Sequence, residues 1–112
     1  MAAILRANEQ ATVAALVARL REDFPETLVQ VLLYGSRARG DAAPDSDLDI
    51  IAVFSRLPDA GQEDSIRDFL YDLDLQNGTV TQLLIVESAW WDSPLTRATL
   101  FRREVQEQGM PL

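Results

Sequence analysis

The sequence predicts a small α/β (α+β) domain in which helices flank a mixed β-sheet of about three to four strands. Three observations predict it. Two apolar runs, VQVLLY at 29–34 and LDIIAVF at 48–54, have the β-branched content and the length of buried strands. A third, TVTQLLIV at 79–86, repeats that character. Before, between and after these runs, apolar residues recur at the three-to-four-residue spacing of amphipathic helices.

The first helix runs from about Asn8 to Phe24, with Val13, Leu16, Val17 and Leu20 on one face, and Pro25 stops it. Val29–Tyr34 is the first strand, broken by Gly35, and a polar insert separates it from the second, Leu48–Phe54. The turn-like SRLPDAG ends that strand. Helical spacing returns from Gln62 to Leu73 through Ile66, Phe69, Leu70 and Leu73, opposite a polar side of Asp64, Arg67, Asp68 and Asp72. Asn77-Gly78 marks a turn before the third strand, Thr79–Val86. The same dipeptide could close a hairpin with a short strand over 71–75; the helix is the preferred reading. A last helix is expected from Pro94 to about Gln108, carrying Leu95, Ala98, Leu100, Phe101 and Val105, with Gly109 as its stop. The 112 residues contain no internal repeat and no long linker, so a single domain over 1–112 is expected.

Composition narrows the chemistry. The net charge is −8, and all ten basic residues are arginine, which leaves no broad cationic surface for nucleic acid. There is no cysteine, hence neither a disulfide framework nor a thiolate metal site, and no histidine, hence neither the usual general base nor imidazole ligands. Any metal has to be hard and oxygen-bound. The apolar runs fall short of the roughly 20 residues of a membrane span. The arginine and glutamate in MAAILRANEQ do not suit a secretory leader, so a cytoplasmic protein is expected.

The chemistry is concentrated in YGSRARGDAAPDSDLDIIAVF, Tyr34 to Phe54. Gly35 lets the backbone turn sharply and approach an anion without a Cβ, and Ser36 adds a hydroxyl. Asp47 and Asp49 are two apart on a strand and project from one face, with Leu48 turned to the core between them. Paired like charges resist burial unless a cation neutralises them, and an all-oxygen pair suits Mg²⁺ carrying substrate phosphates. Their alternative role is capping at a solvated strand edge. Arg37 and Arg39 could clamp phosphate oxygens or a partner's acidic face, or else are solvated, while Asp45 reads as a turn residue and Asp41 as a cap or the salt-bridge partner of an arginine.

Gly35-Ser36, ten residues, then Asp47-Leu48-Asp49 between two apolar strands resembles the signature of the DNA polymerase beta-type nucleotidyltransferase superfamily. In detail it resembles the minimal nucleotidyltransferase branch, which includes MntA-like antitoxins. The resemblance implies a nucleotidyltransferase fold in which Gly35 and Ser36, with Arg37 and Arg39, bind the nucleoside triphosphate, ATP by first expectation. Asp47 and Asp49 would be both the metal ligands and the catalytic residues. It implies Mg²⁺-dependent transfer of AMP to a hydroxyl of a partner protein, with a HEPN-type toxin as that partner. One feature departs from the pattern. Relatives place a third carboxylate on the third strand, where this chain offers Thr81 or Gln82; Glu87 lies after the strand, and Asp72 or Asp74 before it would need another alignment. The alternative is therefore a catalytically degenerate nucleotide-binding antitoxin module. Trp90-Trp91 and the apolar C-terminal segment either dock the partner or close the core, and homodimerisation through the same surface is a further alternative.

Overall fold

A computed structural model describes residues 5–35, 38 and 47–112. Its elements run α1 (Ala7–Asp23), β1 (Leu28–Tyr34), β2 (Leu48–Phe54), α2 (Ala60–Asn77), β3 (Thr81–Glu87), three short helices α3 (Ser88–Trp91), α4 (Pro94–Arg97) and α5 (Leu100–Gln108), and β4 (Met110–Pro111). The strands form one mixed sheet in the order β3-β2-β1-β4, with β1 antiparallel to β2 and β4, and β2 parallel to β3.

β2 is the central strand. Its sequence, LDIIAVF, is almost continuously apolar because both of its faces are covered; only Asp49 interrupts the buried run. Alternation along β2 sends Leu48, Ile50, Ala52 and Phe54 to one face, where Val13, Leu16, Val17 and Leu20 of α1 and Ile66 and Leu70 of α2 meet them. Ile51 and Val53 go to the other, where they join Leu32, Val86, Trp91 and Val105. Asp49 shares the parity of Ile51 and Val53, so it stands on the Trp91 face.

The expected helix over 62–73 starts earlier and runs to Asn77. Its start is set by a capping box: Gln62 N–H donates to Asp59 Oδ1 at 2.8 Å, and Asp59 N–H donates to Gln62 Oε1 at 2.9 Å. Its end is Gly78, at φ +67°. Asn-Gly is thus a helix stop, and the alternative hairpin strand over 71–75 does not form. Beyond it, Asp74 Oδ1 accepts from the Thr79 hydroxyl at 2.6 Å and the Thr81 hydroxyl at 2.8 Å, and Asp74 Oδ2 accepts from Thr81 N–H at 3.0 Å. This knot fixes where β3 begins.

The continuous helix expected from Pro94 to Gln108 is a misreading. The segment breaks at Ala98-Thr99 because Thr99 caps a new helix, its hydroxyl accepting from Arg102 N–H at 3.2 Å. Apolar spacing carries through the break, which is why periodicity alone missed it. Of the two expected roles, Trp91 takes the core: it is 0% exposed, while Trp90 is 54% exposed. The Arg102 guanidinium lies 4.4 Å over the Trp91 ring, and its Nε donates to the Trp91 carbonyl at 3.3 Å. The indole N–H of Trp91 is buried with no hydrogen-bond partner among the described residues.

Candidate functional site

Of the residues singled out in the sequence, Gly35, Asp47 and Asp49 are described; Ser36, Arg37, Arg39, Asp41 and Asp45 lie outside the described residues. The three described ones meet at one end of the β1–β2 ladder. Tyr34 pairs with Asp49 across the antiparallel strands, so Gly35 leaves the sheet beside the Asp49 carboxylate. Gly35 has φ +74°, a conformation that side-chain-bearing residues adopt only with strain. A Cβ built there would stand 2.5 Å from Asp49 Oδ2. The glycine is therefore required twice, for its backbone angle and for the space the carboxylate occupies.

Asp47 and Asp49 are both half-exposed, with Leu48 buried between them, as expected from strand alternation. Asp49 is held from both sides because β2 is paired to β1 and β3, and Leu48 N–H donates to Val80 C=O at 2.8 Å just before it. The parallel register of β2 and β3 puts Gln82 opposite Asp49. From there Gln82 Nε2 donates to Asp47 Oδ2 at 2.9 Å. Tyr34, Asp49 and Gln82 form a row across the sheet, with Asp47 at its margin.

Among the described residues, no group of three or more acidic, histidine or cysteine side chains could hold a metal. Asp74 is occupied by Thr79 and Thr81. Asp72 belongs to α2, on the opposite face of the sheet. Glu87 pairs with Phe54 at the far end of β3, five residues beyond Gln82 and hence about 17 Å away. Between the two readings left open, Thr81 or Gln82, it is Gln82 that faces the aspartates.

Tyr34 was not singled out by its sequence position; only its place directly before Gly35 could have marked it. Its phenol is pushed above its ordinary value, first by burial and second by the nearby Asp49 carboxylate, so it remains a neutral hydrogen-bonding group at physiological pH. Its ring meets Phe101 edge-on at 5.5 Å. Alongside, a cavity of about 160 Å³ is lined by Tyr34, Gly35 and the α5 residues Phe101, Glu104, Val105 and Gln108.

Two half-exposed carboxylates, Asp47 just before β2 and Asp49 within it, beside a glycine that clears room for Asp49, suit a divalent cation with oxygen ligands. The family model described as the nucleotidyltransferase domain matches residues 13–106, which contain this whole arrangement.

The chain belongs to the nucleotidyltransferase domain family.

A curated nucleotidyltransferase relative from Methanocaldococcus jannaschii, whose name proposes a protein adenylyltransferase, is 27% identical over 105 residues, 94% of this chain and 98% of its own length. A solved structure described as a proposed minimal nucleotidyltransferase is 27% identical with a TM-score of 0.51, covering 89% of this chain and 91% of that one. A toxin–antitoxin crystal structure with AMP-PNP shares the fold at 20% identity and a TM-score of 0.56, over 87% of this chain and 69% of that one.

The geometry sets the cost of altering the nucleotidyltransferase loop. Gly35→Ala is expected to destabilise the fold by about 1–2 kcal/mol from the left-handed backbone alone. The added methyl would also have to displace the Asp49 carboxylate. Thermal melts should show a fall of at least about 5 °C. An unchanged melting temperature would mean that Gly35 does not need its positive φ.

Proposed function

We propose that this chain is a Mg²⁺-dependent nucleotidyltransferase that moves AMP from ATP to a hydroxyl of a partner protein, the partner being a HEPN-type toxin that the chain holds in check. Residues 1–112 then act as one minimal nucleotidyltransferase domain in the cytoplasm. The observation that carries the reading is the juxtaposition of Asp47 and Asp49, on one face of the central strand, with a glycine whose missing Cβ makes room for Asp49.

In this reading Gly35 and Ser36 offer backbone and hydroxyl donors to the triphosphate, and Arg37 and Arg39 neutralise its outer oxygens. Asp47 and Asp49 hold Mg²⁺, which orients the phosphates and stabilises charge as an acceptor hydroxyl displaces pyrophosphate from the α-phosphorus. A chain of net charge −8 without lysine would repel a bare triphosphate, so the cation is needed for binding as well as chemistry. The Tyr34–Phe101 cavity gives room beside the carboxylates for an uncharged part of a ligand. Trp90, Leu95 and Leu100, all exposed on the C-terminal helices, form the docking surface for the partner. The archaeal relative's proposed protein adenylyltransferase role and the AMP-PNP complex of the toxin–antitoxin structure support the choices of nucleotide and acceptor.

The test is incubation of the chain with the partner, Mg²⁺ and ATP labelled at the α-phosphate. Label on the partner, together with a rise in the chain's melting temperature in millimolar Mg²⁺-ATP, is the expected result. Absence of both would overturn the reading. A second reading is favoured by the hydrogen bond from Gln82 to Asp47: a nucleotide-binding module that restrains the partner by contact alone. It predicts the rise in melting temperature, tight partner binding and no label.

A further inference from the structure

Resting on the metal–nucleotide reading of the site, we infer that Gln82 fixes its metal count at one. The Asp47–Asp49 pair takes the single divalent cation that arrives with the triphosphate, and the neutral side chain at position 82 leaves a second cation without compensating charge.

Three features of the site lead there. Gln82 stands opposite Asp49 in the β2–β3 register and reaches Asp47, so its side chain spans the space next to both carboxylates. The atom it presents to Asp47 Oδ2, at 2.9 Å, is an amide nitrogen. That nitrogen is a donor without a lone pair for a metal, and the amide brings no negative charge to a second cation. Charge points the same way. The two aspartates carry −2, enough to compensate one dication. A second dication nearby would meet a repulsion four times that between single charges at the same distance, with no further carboxylate among the described residues to offset it. Among the described residues no third acid stands ready, since Asp74 is bound to Thr79 and Thr81 and Glu87 lies at the other end of β3.

Gln82 is exposed, and an isosteric change there leaves the core untouched. Gln82→Glu replaces a donor by a charged acceptor of the same reach. Gln82→Ala removes the donor and adds no charge. The experiment is a Mn²⁺ titration of the full chain bound to non-hydrolysable AMP-PNP, read from the electron paramagnetic resonance signal of free Mn²⁺. The parent and Gln82→Ala are expected to saturate at about one Mn²⁺ per bound nucleotide and Gln82→Glu at about two, its first ion held at least roughly tenfold tighter. About two ions in the parent, or about one in a folded Gln82→Glu chain, would overturn the inference and leave the metal–nucleotide reading standing. A parent chain that retains neither AMP-PNP nor Mn²⁺ would overturn both.

Discussion

An Asp49→Ala chain is expected to lose transfer of label from ATP by at least roughly a thousandfold, about 4 kcal/mol of transition-state stabilisation, while keeping its fold. The fold survives because Asp49 is half-exposed and contributes no apolar area to the packed face of β2. The loss is large because both of its neighbours define the site: Gly35 is cut back to clear its carboxylate, and Tyr34 and Gln82 flank it across the sheet. Circular dichroism melts beside the labelling assay separate the two effects. Equal labelling by the variant and the parent would remove Asp49 from the chemistry. Binding of the proposed partner unchanged by the substitution would show that the proposed docking surface around Trp90 acts independently of Asp49.

The largest effect on stability is expected at Trp91. Trp91→Ala should cost about 3–5 kcal/mol, the range for emptying a large aromatic site in a core. Here the Arg102 guanidinium would also lose the ring it covers at 4.4 Å. Thermal or urea unfolding should report a melting temperature lowered by more than about 10 °C. Trp91→Phe should lose much less, since the indole N–H it removes is buried without a partner among the described residues, and deleting such a donor relieves a desolvation cost. A Trp90→Ala chain should melt close to the parent because its ring is largely in solvent. Similar losses at both tryptophans would contradict the division of labour between them.

The sheet was readable in the sequence to the extent that each strand has a simple burial pattern. LDIIAVF gave its bounds directly, because a central strand covered on both faces is apolar until it meets the turn. The helix α1 was legible through one apolar stripe ended near a proline. The C-terminal helices were not, because Thr99 can sit inside a helical spacing as readily as at a cap, and only the hydrogen bond to Arg102 N–H decides between them. A two-residue strand such as Met110–Pro111 has no period to detect. At the site, the common face of Asp47 and Asp49 followed from spacing alone. That Gln82 rather than Thr81 meets them depends on a parallel register fixed by the Asp74 knot, a contact between residues too far apart for local pattern to show.

The adjacent indoles supply a reporter that needs no added dye. They are the chain's two tryptophans, one shielded beneath α5 and the other open to solvent. Iodide should quench emission from Trp90 and spare Trp91, so protection from quenching on adding the proposed partner would follow occupancy of the proposed docking surface. A red shift of the shielded emission follows unfolding instead, and one cuvette can tell assembly from denaturation.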